Sequence, residues 1–186
     1  MPSSVLNMRL PTLLVLCLSV ICLSVTFAYT LDKNSTNFLD YPTGVEKKQA
    51  FIKHHKPFID KINSSLLCDR EKLIRLSHKQ KLNIREQRWL RHISYLYGNN
   101  SYHEDRDFNW SNLLRKIDII PASLVLAQAA KESGWGTSRF AQSGNNYFGQ
   151  WCYVKGCGLI PENRKQNANH EVASYDSIED SIAAYM

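Results

Sequence analysis

The chain lacks internal repeats. Its eight glycines and six prolines among 186 residues are too few for a collagen-like or low-complexity polymer. It is not short of apolar residues either. Hydrophobic residues make up 44% against 22% charged, which excludes a fully disordered chain and leaves room for one core rather than several. Neither sign of charge dominates, since 23 Lys and Arg against 17 Asp and Glu give +6. A polyanionic partner is permitted by that balance and not demanded. His54, His55, His78, His92 and His103 share no metal-ligand spacing, so they imply no metal or cofactor.

Only one uncharged apolar run is long enough to span a bilayer. Leu10–Ala28 follows Arg9 and ends in Thr26-Phe-Ala28, with small residues at the −3 and −1 positions of a cleavage site. Residues 1–28 therefore read as a secretory signal or, uncleaved, as a single N-terminal membrane anchor. Ile21 before Cys22 argues against a lipoprotein site. Either way the rest of the chain is expected across a membrane. Removing this segment takes Cys17 and Cys22 with it and leaves Cys68, Cys152 and Cys157. In an oxidising compartment Cys152 and Cys157 are close enough in sequence to pair. A zinc alternative, with His170 as third ligand, lacks a clear fourth.

Residues 29–44 are polar and rich in turn formers, and read as a linker. From Val45 to about Asn63, Phe51, Ile52, His55, Phe58, Ile59 and Ile62 recur at helical steps, with Pro57 expected to kink or split the helix. A second helix is expected over 64–78 and a third over 83–96. Most of the positive charge sits on these helices, as a solvated outer face or an anion-binding patch. Residues 98–110 read as a polar loop and 111–116 as a short helix. Pro121–Ala130 is apolar nearly all round, which predicts a central buried helix. Beyond it, Gly134, Gly136, Gly144 and Gly149 punctuate a loop-rich stretch. Residues 170–176 alternate like a short strand. Ser177 reads as the N-cap of a final helix to Met186, with Ile178, Ile182 and Tyr185 as its stripe.

The chemistry points to Glu132. Leu124, Gln128 and Glu132 are spaced by four, with Trp135 one turn on, and two glycines follow at once. A carboxyl in the last turn of a buried helix meets both desolvation and the negative end of the dipole. Both disfavour its anion, as a general acid requires. An exposed helix-end residue paired with Lys131 or Arg139 fits the position equally well. Asn145-Asn-Tyr-Phe-Gly-Gln-Trp151 mixes amides and aromatics as a carbohydrate cleft does, or closes a small domain as an aromatic-rich turn. On a strand, Glu171 and Tyr175 would share a side. Glu171, with Glu162 next, is then the candidate second carboxylate of a glycosidase pair, unless it is only surface charge.

Glu132-Ser-Gly-Trp-Gly136 followed by Gly144-Asn-Asn-Tyr-Phe-Gly-Gln150 closely resembles the endo-β-N-acetylglucosaminidase domain family, glycoside hydrolase family 73. The likeness is strong over 117–186 and weaker from about residue 45. It implies an α+β, mainly α fold: a lysozyme-like helical core with a small β-hairpin lobe, preceded by charged helices over 45–116. It implies Glu132 as the catalytic acid. Asn145, Asn146, Tyr147, Phe148 and Gly149 would line the sugar cleft, with Tyr175 as a lower-lobe aromatic and Gln128, Trp135 and Gln150 as further contacts. The implied reaction cleaves β-1,4 bonds after N-acetylglucosamine in peptidoglycan, in the periplasm or cell envelope, by a monomer without a cofactor or nucleic-acid partner. A 2-acetamido sugar can also act as its own nucleophile in place of a second carboxylate. Family domains continue for several tens of residues past this last helix, so a truncated domain is expected. That motivates an alternative, an inactive wall-binding remnant. An amidase on the peptide stem ranks last, since such chemistry wants a metal or an activated thiol.

Overall fold

The computed structural model describes residues 36–97, 109–165 and 167–186. The segment read as signal or anchor lies outside these residues, as does most of the expected 98–110 loop. Residues from Thr36 on belong to one unit.

The element that organises this unit is one long helix, α1 (Val45–Ser77). Its 33 residues span about 50 Å at 1.5 Å per residue. Two helices were expected here, broken near Pro57 and Ser64, and the structure joins them. Pro57 and Lys53 are both exposed, so the carbonyl that loses its partner to the proline ring faces solvent. Ser64 sits on the outer side and returns its hydroxyl to the Asp60 carbonyl at 2.8 Å. The stripe that α1 buries is Phe51, His55, Ile59, Leu66, Leu73 and Leu76.

That stripe serves two adjoining cores. Phe51 and Ile59 pack with Val125, Ala129, Tyr147, Phe148 and Ile182 in the first. Leu66 and Leu73 pack with Leu90, Ile93, Leu113 and Ile117 in the second, and Ile62 and Met186 touch both. The second core is closed by α2 (Ile84–Leu96) and α3 (Trp110–Lys116). Asn83 and Glu86 start α2 with a reciprocal capping box. Arg70 of α1 donates to the Leu114 carbonyl and, at 2.8 Å, to that of Ile117, satisfying groups that α3 leaves open at its end. Asn63 bonds both backbone groups of Ile120, its Nδ2 donating to O at 2.8 Å and its Oδ1 accepting from N at 3.1 Å.

The first core is closed by α4 (Ala122–Ser133), α5 (Arg139–Gly144) and α6 (Ile178–Tyr185). α4 buries only Val125, Ala129, Ala130 and Ser133. Leu124 is 56% exposed, so the helix is not enclosed all round as its composition suggested. Ser177 caps α6 as expected, accepting from the Asp180 N–H. The small lobe is a three-stranded antiparallel sheet in the order β1 (Trp151–Cys152), β3 (Glu171–Ala173), β2 (Gly158–Leu159). Trp151 and Leu159 both register against Val172, so β2 and β3 form the expected antiparallel hairpin and β1 adds a third strand on the other side of β3. Phe38, from the stretch read as a linker, begins a 3-10 turn (Phe38–Asp40) and is fully buried in the first core.

Candidate active site

Glu132 stands at the C-terminal end of α4, where the chain turns sharply. Gly134, Trp135 and Gly136 have φ of +59°, +58° and +77°. Three successive left-handed residues reverse the backbone within one turn, and glycine tolerates that geometry without a Cβ clash. The Ala130 carbonyl accepts from both Gly134 and Trp135 N–H groups. Fully buried Ser133 ties the corner, donating to the Ala129 carbonyl at 2.6 Å and accepting from the Gly136 N–H at 2.8 Å. The corner leaves the Glu132 side chain exposed. A buried position was expected for this carboxyl, but the Leu124–Gln128–Glu132 face of α4 is the open one.

Two neighbours position the carboxylate. Gln128 Nε2 donates to Oε1 at 3.2 Å. Across from it lies Gly149, at φ +68°, where an added Cβ would stand 3.8 Å from Oε2. The loop 145–150 therefore presents bare backbone to Glu132, and that is the juxtaposition expected of a cleft.

Most other residues assigned to the cleft build its wall instead. Asn146 is 2% exposed; its Nδ2 donates to the Gln150 and Ala173 carbonyls, while Oδ1 accepts from the Phe148 and Gln150 N–H groups. With both ends of its amide so engaged and buried, it shapes the loop and binds it to β3. Asn145, at φ +48°, donates to the Tyr175 carbonyl. Tyr147 is 3% exposed with its ring edge-on to His55, and burial pushes its phenol up to about 12. Phe148 is buried against Tyr185, the rings parallel at 4.1 Å. Trp135 turns its ring edge onto Phe51 beneath Lys48 rather than along the Glu132 face. The accessible partners near Gly149 are Gln150 and Tyr175, both half-buried, with the Tyr175 hydroxyl donating to Gln150 Oε1 at 2.9 Å. Desolvation raises the Tyr175 phenol above its usual range.

Glu171, the candidate second carboxylate, is held inside the small lobe. It is 4% exposed, and its two oxygens accept from the Gly156 and Gly158 N–H groups at 3.0 and 2.9 Å. Those bonds hold its carboxyl below the usual range and spend it on the loop joining β1 to β2. Cys152 and Cys157 close the same loop as a disulfide. Their sulfurs and the Glu171 carboxylate lie within 4.8 Å of one another. With the sulfurs bonded together and the carboxylate engaged, this trio offers no open metal ligands, and the zinc alternative loses its thiolates. His170 instead stacks on Trp151 at 4.1 Å. Glu162 is 82% exposed and lies 3.6 Å from Arg139.

Sequence reasoning missed Ser133, Ser181, whose hydroxyl accepts from the Tyr147 N–H at 3.3 Å, and Phe38. The adjacent apolar pair Phe38-Leu39 in a polar stretch was the available signal for Phe38.

Residues 108–186 match the glucosaminidase family, described as mannosyl-glycoprotein endo-beta-N-acetylglucosaminidase. Protein bax of Escherichia coli (strain K12) is 33% identical over 146 residues, covering 78% of this chain and 52% of that protein. The chain is a Bax-like protein with a glucosaminidase domain. It spans about half the length of that curated relative. No solved structure matches it. The matched family is one of glycosidases acting on glycans, and the match takes in Glu132, Gly149 and the sheet lobe. Among the described residues no helix is long and apolar enough to cross a membrane.

Proposed function

We propose that this Bax-like protein is a peptidoglycan hydrolase that cleaves the β-1,4 bond after N-acetylglucosamine, with Glu132 as the general acid. The observation that carries the reading is the open carboxyl of Glu132 facing the bare backbone of Gly149, inside the segment that matches the glucosaminidase family. A sugar lying over Glu132 and the adjoining Gly149 backbone would exclude water from an otherwise exposed carboxyl, and desolvation favours the protonated form that an acid needs. Glu132 then gives its proton to the glycosidic oxygen as the C1–O bond breaks.

With Glu171 occupied by two backbone N–H groups, the 2-acetamido oxygen of the sugar attacks C1 from the opposite face. Glu132, now an anion, takes a proton from the water that opens the resulting cyclic oxazolinium, so the anomeric configuration is retained. Gln150, Tyr175 and Gln128 supply amide and phenol contacts beside the bond. The Cys152–Cys157 disulfide fits an oxidising compartment, as expected for an exported cell-envelope enzyme.

The test is digestion of purified sacculi with product identification by mass spectrometry. Glu132→Gln keeps the shape and the Gln128 contact but cannot donate the proton. It is expected to lower the release of reducing ends at least about 100-fold. Clearing of the wall at the wild-type rate would remove Glu132 from the mechanism.

A further inference from the structure

The charge of this chain is concentrated far from the Glu132 site. Residues 72–97 hold seven Lys and Arg and one acid, Glu86, out of 23 and 17 in the whole chain, so the rest of the sequence is balanced. The +6 resides in the last turns of α1, the following connection and α2. The acid does not offset its neighbours outward: Glu86 completes the α2 capping box and takes Lys79 at 2.7 Å. Lys72 lies over the Trp89 ring at 4.0 Å, and the half-buried Asp69 carboxyl faces Lys72 and His92. Lys81, Arg85 and Arg88 are exposed and make no ion pair among the described residues.

The apolar pattern on the same helix is also unusual. α2 turns Leu90, Ile93 and Ser94 inward. Arg85, Arg88, His92 and Tyr95 follow each other at three- and four-residue steps along the outward stripe. Tyr95 is 77% exposed, with Ile84 at 71% and Leu96 at 57%. A face that recognised only a soluble polyanion would have no use for these side chains. A face lying at the boundary of headgroups and acyl chains uses both, the cations on phosphates and the apolar tips just below them.

We propose that the outward face of α2, with the end of α1, docks on an anionic phospholipid surface. The proposal is independent of the glycosidase reading, because its residues belong to the second core and not to the first. α1 sets the separation: Phe51, in the core beneath α4, and Leu73, beneath α2, lie about 33 Å apart along the helix axis. Docking by α2 thus uses no residue of the Glu132 site.

The test uses the full chain and sedimentation with phosphatidylcholine vesicles, with and without phosphatidylglycerol. The readout is the ratio of the two partition coefficients, to which an apolar N-terminal segment contributes nothing selective. Each Lys or Arg near an anionic leaflet is worth about fivefold. The triple variant Lys81→Gln, Arg85→Gln, Arg88→Gln is therefore expected to lower the ratio about 100-fold, with an unchanged urea midpoint showing that the fold is intact. Added salt should lower it as well. Ile84→Ser with Tyr95→Ser should weaken partition onto anionic vesicles while leaving binding to soluble polyglutamate unchanged. A ratio near one for the wild type, a ratio unmoved by the triple variant, or an apolar pair without effect on vesicles would each overturn the proposal.

Discussion

Replacing Gly136 by alanine tests the corner that presents Glu132. The residue has φ +77°, and a Cβ there would lie 2.3 Å from Phe38 Cδ2 and 3.0 Å from two further ring atoms. The ring cannot swing aside, since Phe38 is fully buried with Phe51 centred 5.3 Å away and His55 5.7 Å away. A left-handed backbone with a side chain costs about 1–2 kcal/mol. Overpacking a full core adds about 1–3 kcal/mol. Gly136→Ala should therefore lose about 2–5 kcal/mol, read as a lower urea midpoint with an unchanged slope. Combining it with Phe38→Leu separates the two costs, because the smaller side chain frees the space while the backbone strain stays. The double variant should be less destabilised than the sum of the singles by at least about 0.5 kcal/mol. A single variant within about 1 kcal/mol of wild type, or strict additivity, would refute the packing of Phe38 against this corner.

His55 is fully buried, donates Nδ1–H to the Phe51 carbonyl at 2.9 Å and leaves Nε2 without a partner among the described residues. Burial lowers its imidazole from 6.5 to about 3, so between those values the unfolded chain binds the extra proton. Stability from this group is complete above its unfolded value and falls by about 1.4 kcal/mol per pH unit as the pH drops through that window; urea midpoints at neutral and mildly acidic pH should show a shallower fall in His55→Phe. Glu171→Gln places an amide N–H₂ against one of two N–H donors, so it should make the Cys152–Cys157 disulfide easier to reduce; lost glycan cleavage in a variant with unchanged reduction and melting would instead mark a catalytic carboxylate. Asn63→Ala removes the partners of both Ile120 backbone groups and should cost about 1–3 kcal/mol for each that stays dry, measured by denaturant unfolding.

The linear pattern carried the secondary structure well where one face of an element decides it. Helical steps of apolar residues placed α1, α2 and α6, and Ser177 marked a helix start because a short polar side chain reaches the N–H groups that a first turn leaves open. Pro57 misled because its cost depends on whether the freed carbonyl is wet, which exposure decides and sequence does not. α4 misled for a related reason: small apolar residues are compatible with burial, but which face is covered depends on what packs there. Val125 and Ala129 met α1, and Leu124 stayed 56% exposed.

By itself the sequence determined Glu132, the Gly-Trp-Gly corner and the glycine of the facing loop, since a left-handed turn demands glycine at fixed offsets from the helix it ends. It also put Cys152 and Cys157 close enough to pair and carried the family resemblance, while the structure closed the disulfide. Only the tertiary structure decided which polar groups remain for a substrate. Asn146 and Glu171 have the chemistry of a cleft, yet their hydrogen-bonding capacity is taken up by backbone groups, those of Phe148 and Gln150 close by for Asn146 and others brought from 13 to 27 residues away. A buried polar group must be satisfied by whatever the fold places beside it, and that neighbour cannot be read from local spacing.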